Sequence, residues 1–163
     1  MAAYDPQRSH PAFADDLAAS HPARYAVGRY FVSLGYITHV PTHCLRPEND
    51  IANRRRYADD GDVFIWVSGC KHVIEVKHRK SLYFDSVESF PMFGSDSSVM
   101  VDEVYKYRAP LAYFIVNASR TGSIVIRRNT KPQWIEGSRF DSHKGRAENV
   151  YLCPRDLCEW RRL

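Results

Sequence analysis

The chain has 163 residues, of which 44% are hydrophobic and 26% are charged, as is ordinary for one globular domain. This composition excludes a collagen, a coiled coil or a disordered chain as the main body, and no apolar run reaches the roughly 18 residues of a membrane-spanning helix. The 23 Lys and Arg residues exceed the 19 Asp and Glu residues, for a formal charge of +4, which suits a nucleic-acid partner without requiring one.

The N-terminal part of the chain predicts one helix and one strand. Residues 1–16 hold three aspartates and no apolar segment, so we expect no signal peptide. Apolar residues then recur at helical spacing, which predicts a helix from Pro22, a favoured first-turn residue, to Leu34, before the stop signal Gly35. Residues 36–43 predict a strand, and residues 45–59 a polar loop that contains Arg54, Arg55 and Arg56.

The densest β pattern in the chain predicts a hairpin. Residues 62–67 and 72–78 are rich in Val, Ile and aromatic residues, and residues 68–71 between them carry a turn signal. Because side chains alternate between the two faces of a strand, Ile74 and Val76 are predicted to point into the core.

The register of this hairpin decides which charged residues meet. With the turn centred between Gly69 and Cys70, Asp62 faces Lys77. Glu75 and Lys77 share one face of their strand, and Asp62 lies on that face too. Asp60 has the same parity, and a slip of one residue pair would change which carboxylate faces Glu75.

The rest of the chain predicts a long loop, several short strands and two more helices. Residues 81–98 form the loop, and a loop of this length in a small domain is often functional. The remaining elements are strands at residues 99–101, 111–116 and 123–127, a helix at residues 102–108, and a final helix at residues 156–162.

Two carboxylates and an ammonium therefore gather at one end of an apolar hairpin. Burying such charges is costly unless they pair or bind a metal. Carboxylate oxygens suit Mg²⁺ or Mn²⁺, and a neighbouring lysine can assist an attacking water or offset charge in a phosphoryl transition state. The alternative is a surface ion pair, with Lys77 between Glu75 and Asp62 and no catalytic role.

Asp62, the hairpin and the sequence Glu75-Val76-Lys77 resemble the PD-(D/E)XK nuclease superfamily, and Leu34-Gly35-Tyr36 resembles the entry to its core. The likeness covers roughly residues 22–125. It implies a single α/β domain with a restriction endonuclease-like core at about residues 22–127 and a C-terminal extension at residues 128–163. That core is a central mixed β-sheet of about five strands flanked by helices.

The resemblance also implies an activity and its residues. The activity is hydrolysis of DNA phosphodiesters by an endonuclease that uses Mg²⁺ or Mn²⁺. Asp62 and Glu75 would bind the metal together with the backbone carbonyl of Val76, Lys77 would be the catalytic lysine, and Asp60 is an alternative ligand. The first helix lacks the glutamate that many members carry, which leaves a second metal site open. Residues 90–103 and 112–117 resemble small bacteriophage-encoded members, which implies the host cytoplasm.

Basic residues around the hairpin are candidates for contact with nucleic acid. A basic loop at the mouth of a phosphodiester site would hold backbone phosphates, although arginine runs are also commonly solvated. Aromatic residues of the long loop could stack on bases or pin the loop to the core. The candidate residues are Arg54, Arg55, Arg56, His78, Arg79, Lys80 and Lys106.

Three alternatives stay open. The chain could be a nucleic-acid-binding module that no longer cleaves, a structural protein whose charged cluster is only an ion pair, or a nuclease directed at RNA. A homodimer would allow both strands of a duplex to be cut. Cys153 and Cys158 lie five positions apart, but no second Cys or His pair accompanies them, so free thiols are favoured over a zinc site.

Overall fold

The protein is described by a computed structural model that covers residues 10–42, 61–91, 98–101, 110–141 and 145–163. The described residues form one α-helix, two short 3₁₀ helices and nine strands. The helix α1 spans His10–Ser33. The strands are β1 Ile37–His39, β2 Val63–Val67, β3 Cys70–His78, β4 Ser98–Val101, β5 Ala112–Val116, β6 Gly122–Arg127, β7 Ile135–Asp141, β8 Arg146–Pro154 and β9 Cys158–Arg162; the 3₁₀ helices span Arg128–Gln133 and Arg155–Leu157.

The strands form two sheets, and the fold is α/β with a mixed main sheet. The main sheet has six strands in the order β1-β2-β3-β5-β6-β9, and the small sheet has three in the order β4-β8-β7. Among the strands described, only the β3–β5 pair is parallel. The expectation of a mixed sheet is confirmed, but the main sheet has one strand more than the five or so expected.

The additional strand is the segment predicted as a final helix. Residues 155–157 form a 3₁₀ turn, and β9 then pairs antiparallel with β6 along the edge of the main sheet. The prediction of a helix at residues 156–162 is therefore wrong. The β6 edge offers backbone partners, and Trp160 lies opposite Ile124, so pairing outweighs the weak local helical pattern.

Helix α1 is longer than predicted and continues through Pro22. Proline removes one backbone hydrogen bond, and here the packing of Ala23, Val27 and Phe31 against the main sheet keeps the helix continuous. The predicted stop is confirmed. Gly35 has a φ of +85°, and the Tyr36 N–H donates to the Phe31 carbonyl at 3.0 Å, as in a Schellman cap.

The main sheet buries a different core on each face. The face covered by α1 includes Val63, Ile74 and Val76, so the prediction that Ile74 and Val76 point into the core is confirmed. The opposite face is covered by the small sheet and by residues 81–91. Its core contains Phe84, Phe90, Val101, Tyr113, Ile115, Ile124, Ile126, Trp134 and Cys153. Phe84 and Phe90 therefore pin their loop to the core, whereas Tyr83 is exposed.

The hairpin register differs from the prediction by two residues. Ser68 and Gly69 have φ values of 50° and 78°, so they form the two-residue turn that hairpins prefer. Val67 then pairs with Cys70, and Val63 pairs with Ile74. The turn lies one residue earlier than predicted, so every cross-strand partner moves by two positions while the side chains keep their faces.

Several predictions fall outside the described residues. These are the end of the first strand, the loop with Arg54, Arg55 and Arg56, the alternative ligand Asp60, and the helix with Lys106. Among the helices within the described ranges, none is long and apolar enough to cross a membrane.

Candidate functional site

The predicted site residues lie where β2 begins and β3 approaches its end. Because Val63 pairs with Ile74, Asp62 lies level with Glu75 on the neighbouring strand. The predicted pairing of Asp62 with Lys77 is wrong. The observed register brings the two carboxylate-bearing residues to the same level on the sheet face opposite α1.

The backbone of β3 orients Asp62. The Val76 N–H donates a hydrogen bond of 2.8 Å to Oδ2 of Asp62, which is partly buried. The Val76 N–H lies just beyond Val63–Ile74, the last backbone pair between β2 and β3. Asp62 provides its hydrogen-bond acceptor and so also stabilises the end of the strand pair. In a strand, the N–H and C=O of one residue point to the same side. The Val76 carbonyl is therefore directed toward the same edge as Asp62.

The residue before Asp62 makes this arrangement possible. Gly61 is buried and has a φ of +135°, a conformation that other L-residues rarely adopt. A Cβ at position 61 would lie 2.4 Å from Cγ1 of Val73. The chain therefore passes close to β3 at Gly61, and the next residue, Asp62, lies level with Glu75.

Glu75 and Lys77 form the charged centre of the site. The Lys77 Nζ lies 2.9 Å from Oε1 of Glu75, and the two side chains are 35% and 3% exposed. A buried carboxylate is costly without a cation or hydrogen bonds, and the Lys77 ammonium offsets part of that cost. Because the Lys77 side chain is partly exposed and Glu75 is buried, this ion pair lies at the boundary between the interior and solvent.

The donor set fits a hard divalent cation. Asp62, Glu75 and the Val76 carbonyl offer only oxygen atoms, and Mg²⁺ typically binds one or two carboxylates and keeps waters or phosphate oxygens as its other ligands. Among the described residues, no group of three or more His, Cys, Asp or Glu side chains could hold a metal ion. The site as described thus has two carboxylates and one carbonyl, which suits Mg²⁺ or Mn²⁺ better than a closed structural metal site.

The other predicted contacts after Lys77 differ in their placement. His78 follows Lys77 and so points toward the α1 face, and both its ring nitrogens are buried without a hydrogen-bond partner among the described residues. Arg79 is partly buried and its N–H donates to the Val116 carbonyl at 2.9 Å. Lys80 is exposed. The structure therefore places His78 on the opposite face of β3 from Glu75 and Lys77.

Two exposed residues near the site were not predicted as functional. Lys71 lies on the same face of β3 as Glu75, and its Nζ is 3.8 Å from the ring centroid of Phe64. The exposed His39 stacks on the same Phe64 ring, with the ring centroids 6.1 Å apart. The sequence could have indicated Lys71, because side chains alternate along a strand and Lys71 lies four residues before Glu75. His39 could not have been placed because it lies on another strand.

A cavity of about 390 Å³ lies on the other side of the main sheet. Its lining includes Tyr30, Tyr36 and Phe114, with Arg127 at one side. Arg127 donates a hydrogen bond of 2.6 Å to Glu159, and this contact holds the pKa of Glu159 below its usual value. The cavity and this ion pair are separate from the carboxylate site.

We found no significant match to this chain among protein-family models, curated proteins or solved structures. Function is therefore inferred from the sequence pattern and from the site geometry. Their common element is the set formed by Asp62, Glu75 and Lys77.

Proposed function

We propose that this protein is a divalent-metal-dependent nuclease with a restriction endonuclease-like core, related to the PD-(D/E)XK superfamily, and that it hydrolyses phosphodiester bonds of DNA. One observation carries the proposal. Asp62 and Glu75 lie level on adjacent strands, and the Lys77 ammonium is 2.9 Å from the buried Glu75 carboxylate. The order of the elements, with α1 first, then the antiparallel β2–β3 hairpin and then β5 parallel to β3, supports the same assignment.

The residues of the site have separate roles in this mechanism. Asp62, Glu75 and the Val76 carbonyl would hold Mg²⁺ or Mn²⁺, which when bound polarises a phosphate and lowers the pKa of a water. The Val76 N–H orients the Asp62 carboxylate by donating to its Oδ2. The Glu75 side chain is 3% exposed, and its backbone pairs with Tyr113 of β5.

Lys77 is the group that acts on the reacting atoms. Its Nζ is anchored by Glu75 while its side chain remains 35% exposed, so the ammonium can face both the site and an incoming phosphate. From there it orients the attacking water and offsets the negative charge that develops on the phosphoryl oxygens. The exposed residues Lys71, His39 and Lys80 would contact the nucleic-acid backbone, with Arg54, Arg55, Arg56 and Lys106 as further predicted contacts.

The contact between Lys77 and Glu75 also favours a second candidate function. A 2.9 Å ion pair already compensates the buried carboxylate, as it would in a module that binds nucleic acid and does not cleave. This candidate keeps salt-dependent DNA binding and lacks metal-dependent turnover. Cleavage of RNA in place of DNA, or cleavage by a homodimer, would be variants of the first proposal.

Metal-dependent melting and cleavage test the two functions together. Wild type, Glu75→Gln and Lys77→Met are melted with and without Mn²⁺ and incubated with supercoiled DNA, single-stranded DNA and RNA. Glu136→Gln is the matched control, because Glu136 is exposed on the small sheet. We expect wild type and the control to be stabilised by Mn²⁺ and to nick DNA. Glu75→Gln should lose both properties, and Lys77→Met should lose cleavage.

Three results would contradict the proposal of a DNA nuclease at this site. Binding to DNA without turnover in any metal would favour the silent module. Cleavage of RNA alone would change the substrate and keep the mechanism. If Glu75→Gln cleaved as fast as wild type, the activity would come from another site or from a contaminant.

A further inference from the structure

Two cysteines meet at the junction between the two sheets. Cys153 lies near the end of β8 in the small sheet, and Cys158 is the first residue of β9 in the main sheet. The 3₁₀ turn Arg155–Leu157 folds the chain back between them, and their sulfur atoms are 3.9 Å apart. The Pro154 carbonyl oxygen lies 3.6 Å from the Cys153 sulfur and 3.5 Å from the Cys158 sulfur.

The two thiols differ in exposure. Cys153 is fully buried, whereas Cys158 is partly exposed. A reagent in solution therefore reaches the Cys158 sulfur first. Cys153 lies behind it, with its sulfur 3.9 Å from the Cys158 sulfur, and closure to a disulfide would bring the two sulfurs to about 2 Å.

The thiols also differ in acidity. The hydrogen bond from the Cys158 thiol lowers the pKa of Cys153, with Thr130 and Trp134 acting in the same direction. The same hydrogen bond, together with burial, raises the pKa of Cys158. The shared hydrogen bond therefore makes the two thiols chemically unequal.

A metal site explains this pair less well than a redox site. A structural zinc needs four ligands, and no group of three or more His, Cys, Asp or Glu side chains that could hold a metal occurs in the described part of the chain. Two sulfurs this close, one accessible and one not, have the arrangement of an entry thiol and a resolving thiol.

We propose that Cys153 and Cys158 are a redox-active dithiol that closes to an intrachain disulfide by exchange with a low-molecular-weight disulfide such as oxidised glutathione. The Cys158 thiol gives its proton to solvent, its sulfur attacks one glutathione sulfur, and the first glutathione leaves as a thiolate that takes up a proton. Cys153 then attacks the Cys158 sulfur and gives its proton to the second glutathione, which leaves as a thiol. The protein loses two electrons, and one glutathione disulfide becomes two reduced glutathiones.

The product would join the two sheets covalently. Cys153 lies opposite Val99 in the small sheet, and Cys158 lies opposite Ile126 in the main sheet. Ile126 pairs in turn with Tyr113, and Tyr113 with Glu75, so the disulfide would lie at the far end of the cross-strand row that begins at Glu75. The proposal does not depend on the nuclease function.

The test uses a background variant, Cys44→Ser with Cys70→Ser, so that only the pair remains. The folded protein is equilibrated with oxidised and reduced glutathione, quenched with acid, alkylated and weighed intact. We expect a loss of about 2 Da, no alkylation and no bound glutathione. The oxidised fraction in the folded protein should exceed that in denaturant at least about tenfold, because folding holds the sulfurs together.

Single variants in this background assign the two steps. With Cys153→Ser, we expect one glutathione to remain attached to Cys158. With Cys158→Ser, the buried Cys153 should react at least about tenfold more slowly than Cys158 does. The proposal is overturned if the folded pair keeps two alkylatable thiols or retains glutathione without resolving it. This readout needs no single variant, so it stands even if Cys153→Ser fails to fold.

Discussion

The backbone N–H of Val76 donates a hydrogen bond of 2.8 Å to Oδ2 of Asp62. One contact thus connects a carboxylate at the start of β2 to the strand that carries Glu75 and Lys77. It gives Asp62 a structural role at the end of the hairpin and, in the proposed function, a fixed orientation toward a metal. The two roles make different demands on the side chain and can be separated by substitution.

Asp62→Asn and Asp62→Ala should separate these roles. Asparagine keeps an oxygen that can accept from Val76, whereas alanine leaves that backbone donor without its partner, at a cost of about 1 kcal/mol. In metal-free buffer, we expect Asp62→Asn to melt close to wild type and Asp62→Ala to melt lower. Neither variant should be stabilised by Mn²⁺. A normal metal-induced rise in the melting temperature of Asp62→Asn would contradict the assignment of Asp62 as a ligand.

Lys77→Met should destabilise the protein in a way that depends on Glu75. The substitution removes the ammonium from beside a carboxylate that is 3% exposed, so we expect a loss of about 1–3 kcal/mol in the free energy of unfolding. Adding Glu75→Gln should recover part of that loss. Denaturant unfolding of the two single variants and the double variant measures the coupling. Simple additivity would mean that the contact contributes nothing to stability.

Gly61→Ala tests the close passage of the chain beside β3. The substitution places a Cβ 2.4 Å from Val73 Cγ1 at a φ of +135°, and strain of this kind costs on the order of 1–3 kcal/mol. Gly69→Ala is the control, because Gly69 has a φ of +78° and nothing within 4 Å of a Cβ. We expect Gly61→Ala to lower the melting temperature more than Gly69→Ala does. Equal losses would contradict the steric argument.

Glu159→Gln should lower stability in a manner that depends on pH. Arg127 holds the pKa of Glu159 below the usual 4.5, so the ionised carboxylate stabilises the folded state. That contribution is present above the unfolded pKa and is lost as the pH falls through the lower folded value. Since the pair is partly exposed, we expect a difference of about 0.5 kcal/mol at pH 7 that shrinks as the pH falls below 4.5. A difference that persists in acid would contradict this account.

Lys71→Ala should weaken DNA binding if the face of β3 that carries Glu75 contacts the phosphate backbone. Removal of one phosphate contact should make the slope of log affinity against log salt shallower by about 0.9. Arg146→Ala is the control, because Arg146 is exposed on the small sheet. Fluorescence anisotropy with a short duplex at several salt concentrations measures both effects. Equal slopes for Lys71→Ala and wild type would place the DNA elsewhere.

Much of the main sheet and part of the site were predictable from local pattern. The hairpin, the strands around residues 112–116 and 122–127, and the stop at Gly35 follow from alternation and turn signals. Glu75 and Lys77 share a face in any register, because they are two residues apart on one strand. A register error of two residues preserves that parity, which is why the charged cluster was identified although its pairing was wrong.

The tertiary structure alone decided which residues meet across elements. The level pairing of Asp62 with Glu75, the continuation of α1 through Pro22, the strand at residues 158–162 and the contact between Cys153 and Cys158 all depend on partners distant in sequence or on a turn conformation. Local propensities for these segments are weak and differ by small energies. Backbone pairing along β6 and burial against the sheet outweigh them, because each such contact depends on the whole folded chain and no short stretch of sequence encodes it.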